Sequence, residues 1–177
     1  MAIALSALRN AARRPTPQVV ATLREARAQG INTVFLCHSH NDEVLVRGVV
    51  TLLRDAGWDV YVDWLDTTMP QSPNLETARR IQEKIREDRY FLFLATPNST
   101  SSRWCPWEIG YADGVKPHST IFIITTRDDG GNHYGNEYLQ IYNDIDFIDS
   151  GELAVFGPAS NKGTPLALLD QRRVERR

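Results

Sequence analysis

The densest polar stretch of the chain, Cys37-His38-Ser39-His40-Asn41-Asp42, follows directly on the apolar run Thr33-Val34-Phe35-Leu36. His38 and His40 project to the same side if the strand continues, the arrangement of a His-x-His metal site. No third ligand is evident in the sequence. Hydrogen bonds to a bound ligand, or a helix cap, account for the same residues, so the chain is read as holding no metal. A second group reads Ser101-Ser102-Arg103-Trp104-Cys105-Pro106-Trp107-Glu108. Ser101 or Ser102 can cap a helix there, and Pro106 is tolerated in a first turn. Trp104 and Glu108, four apart, then share one face of that helix. Its free N–H groups could hold a phosphate. A carboxylate beside a large aromatic in a cleft is a candidate acid, base or cation stabiliser; the plain alternative is an exposed Glu beside a core Trp.

Alternating strands and helices must position these groups. Thr33 to Cys37 reads as a first strand. Asn41 or Asp42 then caps a helix with Val44, Leu45, Val49, Leu52, Leu53 and Ala56 at helical spacing, stopped by Gly57. Trp58 to Trp64 is a second strand, and Asp66 to Pro73 a loop rich in proline and small polar residues. Leu75, Ala78, Ile81 and Ile85 mark the next helix. Tyr90 to Ala95 and Thr120 to Ile124 are apolar on both faces, as central parallel strands are. Between them, a polar loop from Thr96 to Arg103 leads into a helix from Trp104 to about Val115. After Arg127 the pattern weakens: short strands are expected at Tyr138 to Tyr142 and Ala154 to Phe156, and a final helix from Leu166 to Val174. The class is α/β, a doubly wound parallel sheet of the flavodoxin-like kind, with expected strand order 2-1-3-4-5. Ligands of such sheets bind beyond the carboxyl ends of the strands at the switch point. The loops after the first and third strands should therefore face each other across a cleft.

Composition narrows the possible functions. The chain has 177 residues, 20 Lys plus Arg against 22 Asp plus Glu, and 42% hydrophobic residues. That is room for one globular domain, and the charge balance speaks against a nucleic-acid binder. Cys37 and Cys105 are too few for a disulfide framework. No apolar run approaches the ~20 residues of a membrane span, so a cytoplasmic protein is expected. The acid-free segment from Met1 to Arg24 can read as a transit peptide. An amphipathic helix through Ile3, Leu5 and Leu8, then a second through Val19, Val20 and Leu23, is the preferred reading.

Taken together, these segments resemble the TIR domain family. Phe35-Leu36-Cys37-His38-Ser39-His40-Asn41-Asp42 is similar to the family's Phe-Leu-Ser-His-Ser-x-x-Asp box, with Cys37 in place of the first serine. Trp58 to Asp63 resembles the family's second strand, and Leu65 to Asn74 the loop that lines its ligand cleft. Ser102-Arg103-Trp104-Cys105-Pro106-Trp107-Glu108 is similar to the Ser-x-Trp-Cys-x-x-Glu segment, whose glutamate is catalytic in members that cleave NAD. The likeness covers about Asn32 to Ile124. It implies a TIR domain over residues 31–160, with a helical extension over 1–30 and a helix or tail over 161–177.

The resemblance implies an NAD glycohydrolase or ADP-ribosyl cyclase, with NAD as substrate and no cofactor. Stand-alone bacterial members often act in antiphage defence, as in Thoeris systems, making an ADP-ribose-derived signal for a separate effector. Glu108 is the expected catalytic residue, with His38, Ser39, Asp63, Arg103 and Trp104 as substrate contacts. Nicotinamide departs neutral, so no general acid is needed, and one carboxylate can stabilise the oxocarbenium-like ribose. An ordinary carboxyl value of about 4.3 leaves Glu108 ionised at neutral pH. Two other readings use the same residues: a non-catalytic TIR module that self-associates, and a deoxyribosyltransferase-like enzyme that traps the sugar covalently.

Overall fold

The computed structural model describes residues 2–17, 23–63, 74–135 and 137–169. The chain opens with a two-residue strand, β1 (Ile3–Ala4), then helices α1 (Leu5–Ala11) and α2 (Leu23–Ala28). Strand β2 (Thr33–Cys37), helix α3 (Glu43–Asp55) and strand β3 (Asp59–Tyr61) follow, then α4 (Leu75–Glu87) and β4 (Tyr90–Leu94). A short helix α5 (Pro97–Thr100) precedes α6 (Cys105–Val115) and β5 (Ile121–Ile124). The last part holds a hairpin of β6 (Thr126–Arg127) and β7 (His133–Tyr134), then β8 (Asn143–Phe147), β9 (Leu153–Phe156) and β10 (Gly163–Pro165).

The main sheet runs β3-β2-β4-β5-β8-β9-β10, parallel from β3 to β8 and antiparallel beyond. Alternation along the central strands supplies a core to each face. Val34, Leu36, Leu92, Leu94, Phe122 and Ile124 point to one side, where α3 and α1 cover them. Phe35, Cys37, Phe91, Phe93, Ile121 and Ile123 point to the other, beneath Ile81 and Ile85 of α4 and Ile109 and Ala112 of α6. Each such side chain, once fully buried, contributes about 2 kcal/mol. The α/β class expected from the sequence is thus the one observed. Cys37, at the carboxyl end of β2, lies on the α6 side of the sheet.

The ends of the chain differ in detail from the expectations. Ile3 belongs to a strand, parallel to β6, and the helix begins only at Leu5. Leu5, Leu8 and Ala11 are buried, and α1 crosses α3 so closely that a Cβ on Gly48 would sit 2.1 Å from the Leu8 carbonyl oxygen. The strand expected at Tyr138–Tyr142 is instead a 3-10 turn, Glu137–Ile141. Leu139 and Tyr142 are buried while Tyr138 and Ile141 are exposed, a spacing of three that suits a tight helix rather than a strand. The strand that completes the parallel set is β8, whose two aspartates disguise it. Thr96 to Arg103 is not plain loop, because α5 starts within it on a Thr96/Ser99 capping box. At the carboxyl end, a 3-10 turn covers Leu166–Leu168, and residues 170–177 lie outside the described set, as do Val19, Val20 and the 65–73 loop.

Candidate functional site

Two strand exits build the site. After β2 the chain turns at Ser39, whose hydroxyl accepts from the Asn41 amide at 3.3 Å. Asp42, buried, accepts from the Thr96 hydroxyl and, at 2.6 Å, from the Asn98 side-chain amide. This one carboxylate ties the turn after β2 to the turn after β4. Beyond α5, the Ser102 hydroxyl accepts from the amides of Trp104 (3.1 Å) and Cys105 (3.3 Å), starting α6 in the way an N-cap does. Those amides are therefore engaged, which counts against the phosphate reading of this helix start. The Glu108 amide donates to the Trp104 carbonyl at 2.8 Å, placing Trp104 and Glu108 one turn apart on the same side.

Between these exits lies a hollow of about 230 Å³. His38, Ser39, His40 and Asn41 line one side, Ser102, Trp104 and Glu108 another, and Asp63, Thr77 and Ile81 complete it. The structure thus brings together Glu108, His38, Ser39, Asp63 and Trp104. Arg103 is exposed and is not among the lining residues. Thr77 and Ile81 went unrecognised as lining: Ile81 has core spacing, and Thr77 reads as a helix-start residue, which it also is through its bond with Asn74. A larger hollow, about 630 Å³, is lined by Thr125, Tyr134, Tyr142, Asp144 and others. Size does not make it the better candidate. It holds none of the candidate site residues named from the sequence, and its Asp144 carboxyl is already hydrogen-bonded by Thr125.

Glu108 departs from the sequence expectation. It is buried (5% exposed), and that burial, reinforced by the neighbouring Cys105, pushes its carboxyl up to about 8 despite an opposing hydrogen bond from Cys37. The expected ordinary, ionised Glu108 is thus corrected: before a ligand arrives, the carboxyl is mostly protonated at neutral pH. The thiols respond to the same packing. Burial drives Cys37 well up, while the hydrogen bond from Cys37 holds Cys105 below its usual value.

Asp63, two residues past β3, has the opposite fate. Burial alone would raise it, but contacts with two imidazoles hold it well below the usual carboxylate range. Its Oδ1 lies 3.3 Å from His38 Nε2 and its Oδ2 3.0 Å from His40 Nε2. The His40 value is raised by that hydrogen bond. His38 Nδ1 lies 2.7 Å from the Leu36 carbonyl oxygen, which can only accept, so Nδ1 carries a proton. His38, His40 and Asp63 each offer a ligand atom within 4.8 Å of the others, so Asp63 is the third group that His-x-His spacing alone did not reveal.

Taken together, the arrangement offers a protected carboxyl that can gain or lose a proton near neutrality, a carboxylate that stays ionised, and an indole beside them. Among the described residues, no helix is long and apolar enough to cross a membrane. A Bacillus cereus (strain MSX-D12) protein with the provisional name 3' cyclic ADP-D-ribose synthase ThsB' is 33% identical over 114 residues, 63% of this chain and 59% of that protein. A Cytobacillus dafuensis protein with the provisional name cyclic ADP-D-ribose synthase TIR2 is 23% identical over 99 residues, 54% of this chain and 26% of that protein. The chain thus aligns with less than two thirds of each relative's length. The TIR domain model matches residues 34–155, more than half of the chain. By that match, the chain belongs to the TIR domain family.

Proposed function

We propose that this chain cleaves the nicotinamide–ribose bond of NAD, releasing nicotinamide and an ADP-ribose product, cyclic or linear. The observation that carries the reading is Glu108: a fully buried carboxyl raised to about 8, facing a hollow it shares with Trp104, His38 and Asp63. The provisional names of the two relatives, which both read cyclic ADP-D-ribose synthase, point to the same chemistry. Making that product from NAD requires the nicotinamide bond to break.

The proposed sequence of events starts with charge. The nicotinamide ring is cationic, and an opposite charge brought against Glu108 favours its ionised form. Substrate binding therefore drives the proton off a carboxyl that burial otherwise keeps neutral. As the C–N bond lengthens, the ring nitrogen takes the bonding pair and nicotinamide leaves neutral. Positive charge moves onto the ribose, beside the newly ionised Glu108. Asp63 and Ser39 offer acceptors to ribose hydroxyls, and His38 a further polar contact. Trp104 and Ile81 close apolar surface over the site and limit water. Water attack then gives ADP-ribose plus a proton; attack by a hydroxyl of the same molecule gives a cyclic product plus a proton. In the cell, the reading is of a cytoplasmic defence enzyme that self-associates and whose diffusible product reaches a separate effector.

The test is nicotinamide release from NAD, followed by chromatography with separation of linear and cyclic products. Wild type is expected to release nicotinamide, and Glu108→Gln to lose on the order of 10²–10³ in rate, the usual cost of one charge-stabilising group. Absence of release across a range of protein concentrations overturns the enzymatic reading in favour of an interaction module.

A further inference from the structure

We infer that His38, His40 and Asp63 form a binding site for a divalent first-row transition ion of the zinc class, and that the ion antagonises the proposed NAD cleavage. Binding is argued from the geometry alone; antagonism rests on the proposed function.

The donor set comes first. Two imidazoles and one carboxylate suit zinc, cobalt or iron(II), whereas magnesium and calcium prefer oxygen shells. Three protein ligands with a further position facing a cavity is the open-site pattern. Tautomer logic sharpens this. The Leu36 carbonyl accepts a hydrogen bond from His38 Nδ1–H at 2.7 Å, the backbone contact that commonly orients a metal-bound histidine. His38 Nε2, the other ring nitrogen, lies 3.3 Å from Asp63 Oδ1.

The fit requires little movement. Zinc–nitrogen and zinc–oxygen bonds of about 2.0–2.2 Å place tetrahedral ligands roughly 3.3 Å apart. The His38 contact to Asp63 Oδ1 (3.3 Å) and the His40 contact to Asp63 Oδ2 (3.0 Å) are close to this, and one ligand atom from each residue lies within 4.8 Å of the others. His40 is the ligand that must swing inward, and its side chain, 72% exposed, is free of core packing that would oppose this. His38 side-chain atoms are 2% exposed and Asp63 17%, so two of three ligands are already preorganised. An ion there would occupy the Asp63 carboxylate and the His38 imidazole, both offered to substrate in the proposed mechanism. Metal and NAD therefore compete for the same side chains.

The experiment uses full-length protein without a polyhistidine tag, titrated with cobalt(II) and read by visible absorption, with zinc affinity measured by competition against a chromophoric chelator. The expected result is one ion per chain, an absorption typical of four-coordinate cobalt without thiolate charge transfer, and at least a tenfold affinity loss in both His40→Ala and Asp63→Asn. Thermal melts establish that both variants fold. No binding, binding that survives both substitutions, or a thiolate band implicating Cys37 and Cys105 overturns the site. Saturating zinc is also expected to slow wild-type nicotinamide release at least tenfold relative to its metal-free rate, with His40→Ala resisting. Zinc binding without inhibition removes the antagonism. Missing nicotinamide release in metal-free wild type would remove the proposed function, while the cobalt spectrum would still decide the metal site.

Discussion

The two carboxylates of the hollow, Glu108 and Asp63, sit in opposite electrostatic settings. Around Glu108 the wall is thiol and apolar side chain: Cys37 beneath, Cys105 one turn back, Ile109 beside it in the core. Around Asp63 the wall is imidazole. Both groups are substantially buried, and burial is the largest influence on each. In Asp63 two basic partners outweigh it; in Glu108 one weak thiol hydrogen bond does not. The contrast shows that partner chemistry, more than depth, decides which carboxylate is held ionised and which is held ready to change. A carboxyl whose value is displaced this far inside a cleft marks a functional-site candidate.

The sharpest way to break the contrast is a pH profile. If Glu108 must ionise, kcat/KM for NAD falls about tenfold for each unit below a midpoint near 8. Asp63 stays ionised throughout that window and contributes no limb to it. A rate that is flat between about 5 and 8 would place the working carboxyl elsewhere.

Stability supplies the next largest effect. A carboxyl raised in the folded state binds its proton more tightly there than in the unfolded chain. Stability is therefore full below the unfolded value near 4.5 and erodes as pH rises toward the folded value near 8. Glu108→Gln should match wild type in acid and exceed it by about 3 kcal/mol at pH 7. Denaturant melts at several pH values measure this; a variant less stable than wild type at pH 8 would show that the buried carboxyl carries no such cost.

Trp104 gives the smallest effect and sharpens the boundary of the site. It is half-buried, edge-on to Trp107 at 5.4 Å between ring centroids, and lines the hollow. Trp104→Ala should slow nicotinamide release about tenfold while costing little melting temperature, since its ring is not enclosed in the core. A large loss of stability with a proportionate loss of activity would make it a packing residue.

Much of this molecule was legible in its sequence, for identifiable reasons. The runs Thr33 to Cys37, Tyr90 to Leu94 and Ile121 to Ile124 are apolar on both faces, and only a covered parallel strand tolerates that. Ser102 caps its helix start as its type suggests, whereas the Asp42 side chain makes no cap and instead accepts from Thr96 and Asn98. The polar residues at both starts still let His38, Ser39, Trp104 and Glu108 be assigned to strand and helix ends. What stayed hidden depends on distant partners. The Glu108 shift comes from burial that arises only once α6 packs on the sheet, and the His38–His40 pair meets Asp63 only once β3 lies beside β2. β1 pairs with β6 across almost the whole domain, a contact no local pattern encodes. β8 carries Asp144 and Asp146, and the acid at Asp144 is accommodated by the Thr125 amide and hydroxyl, not by any alternation a periodicity search detects.

The most direct measurement is nicotinamide release by wild type and Glu108→Gln side by side at pH 9, where the wild-type carboxyl is ionised even without substrate. The expected outcome is on the order of 10²–10³ slower release by the variant, with folding intact by thermal melt. Equal release by the two folded proteins would contradict the role assigned to Glu108.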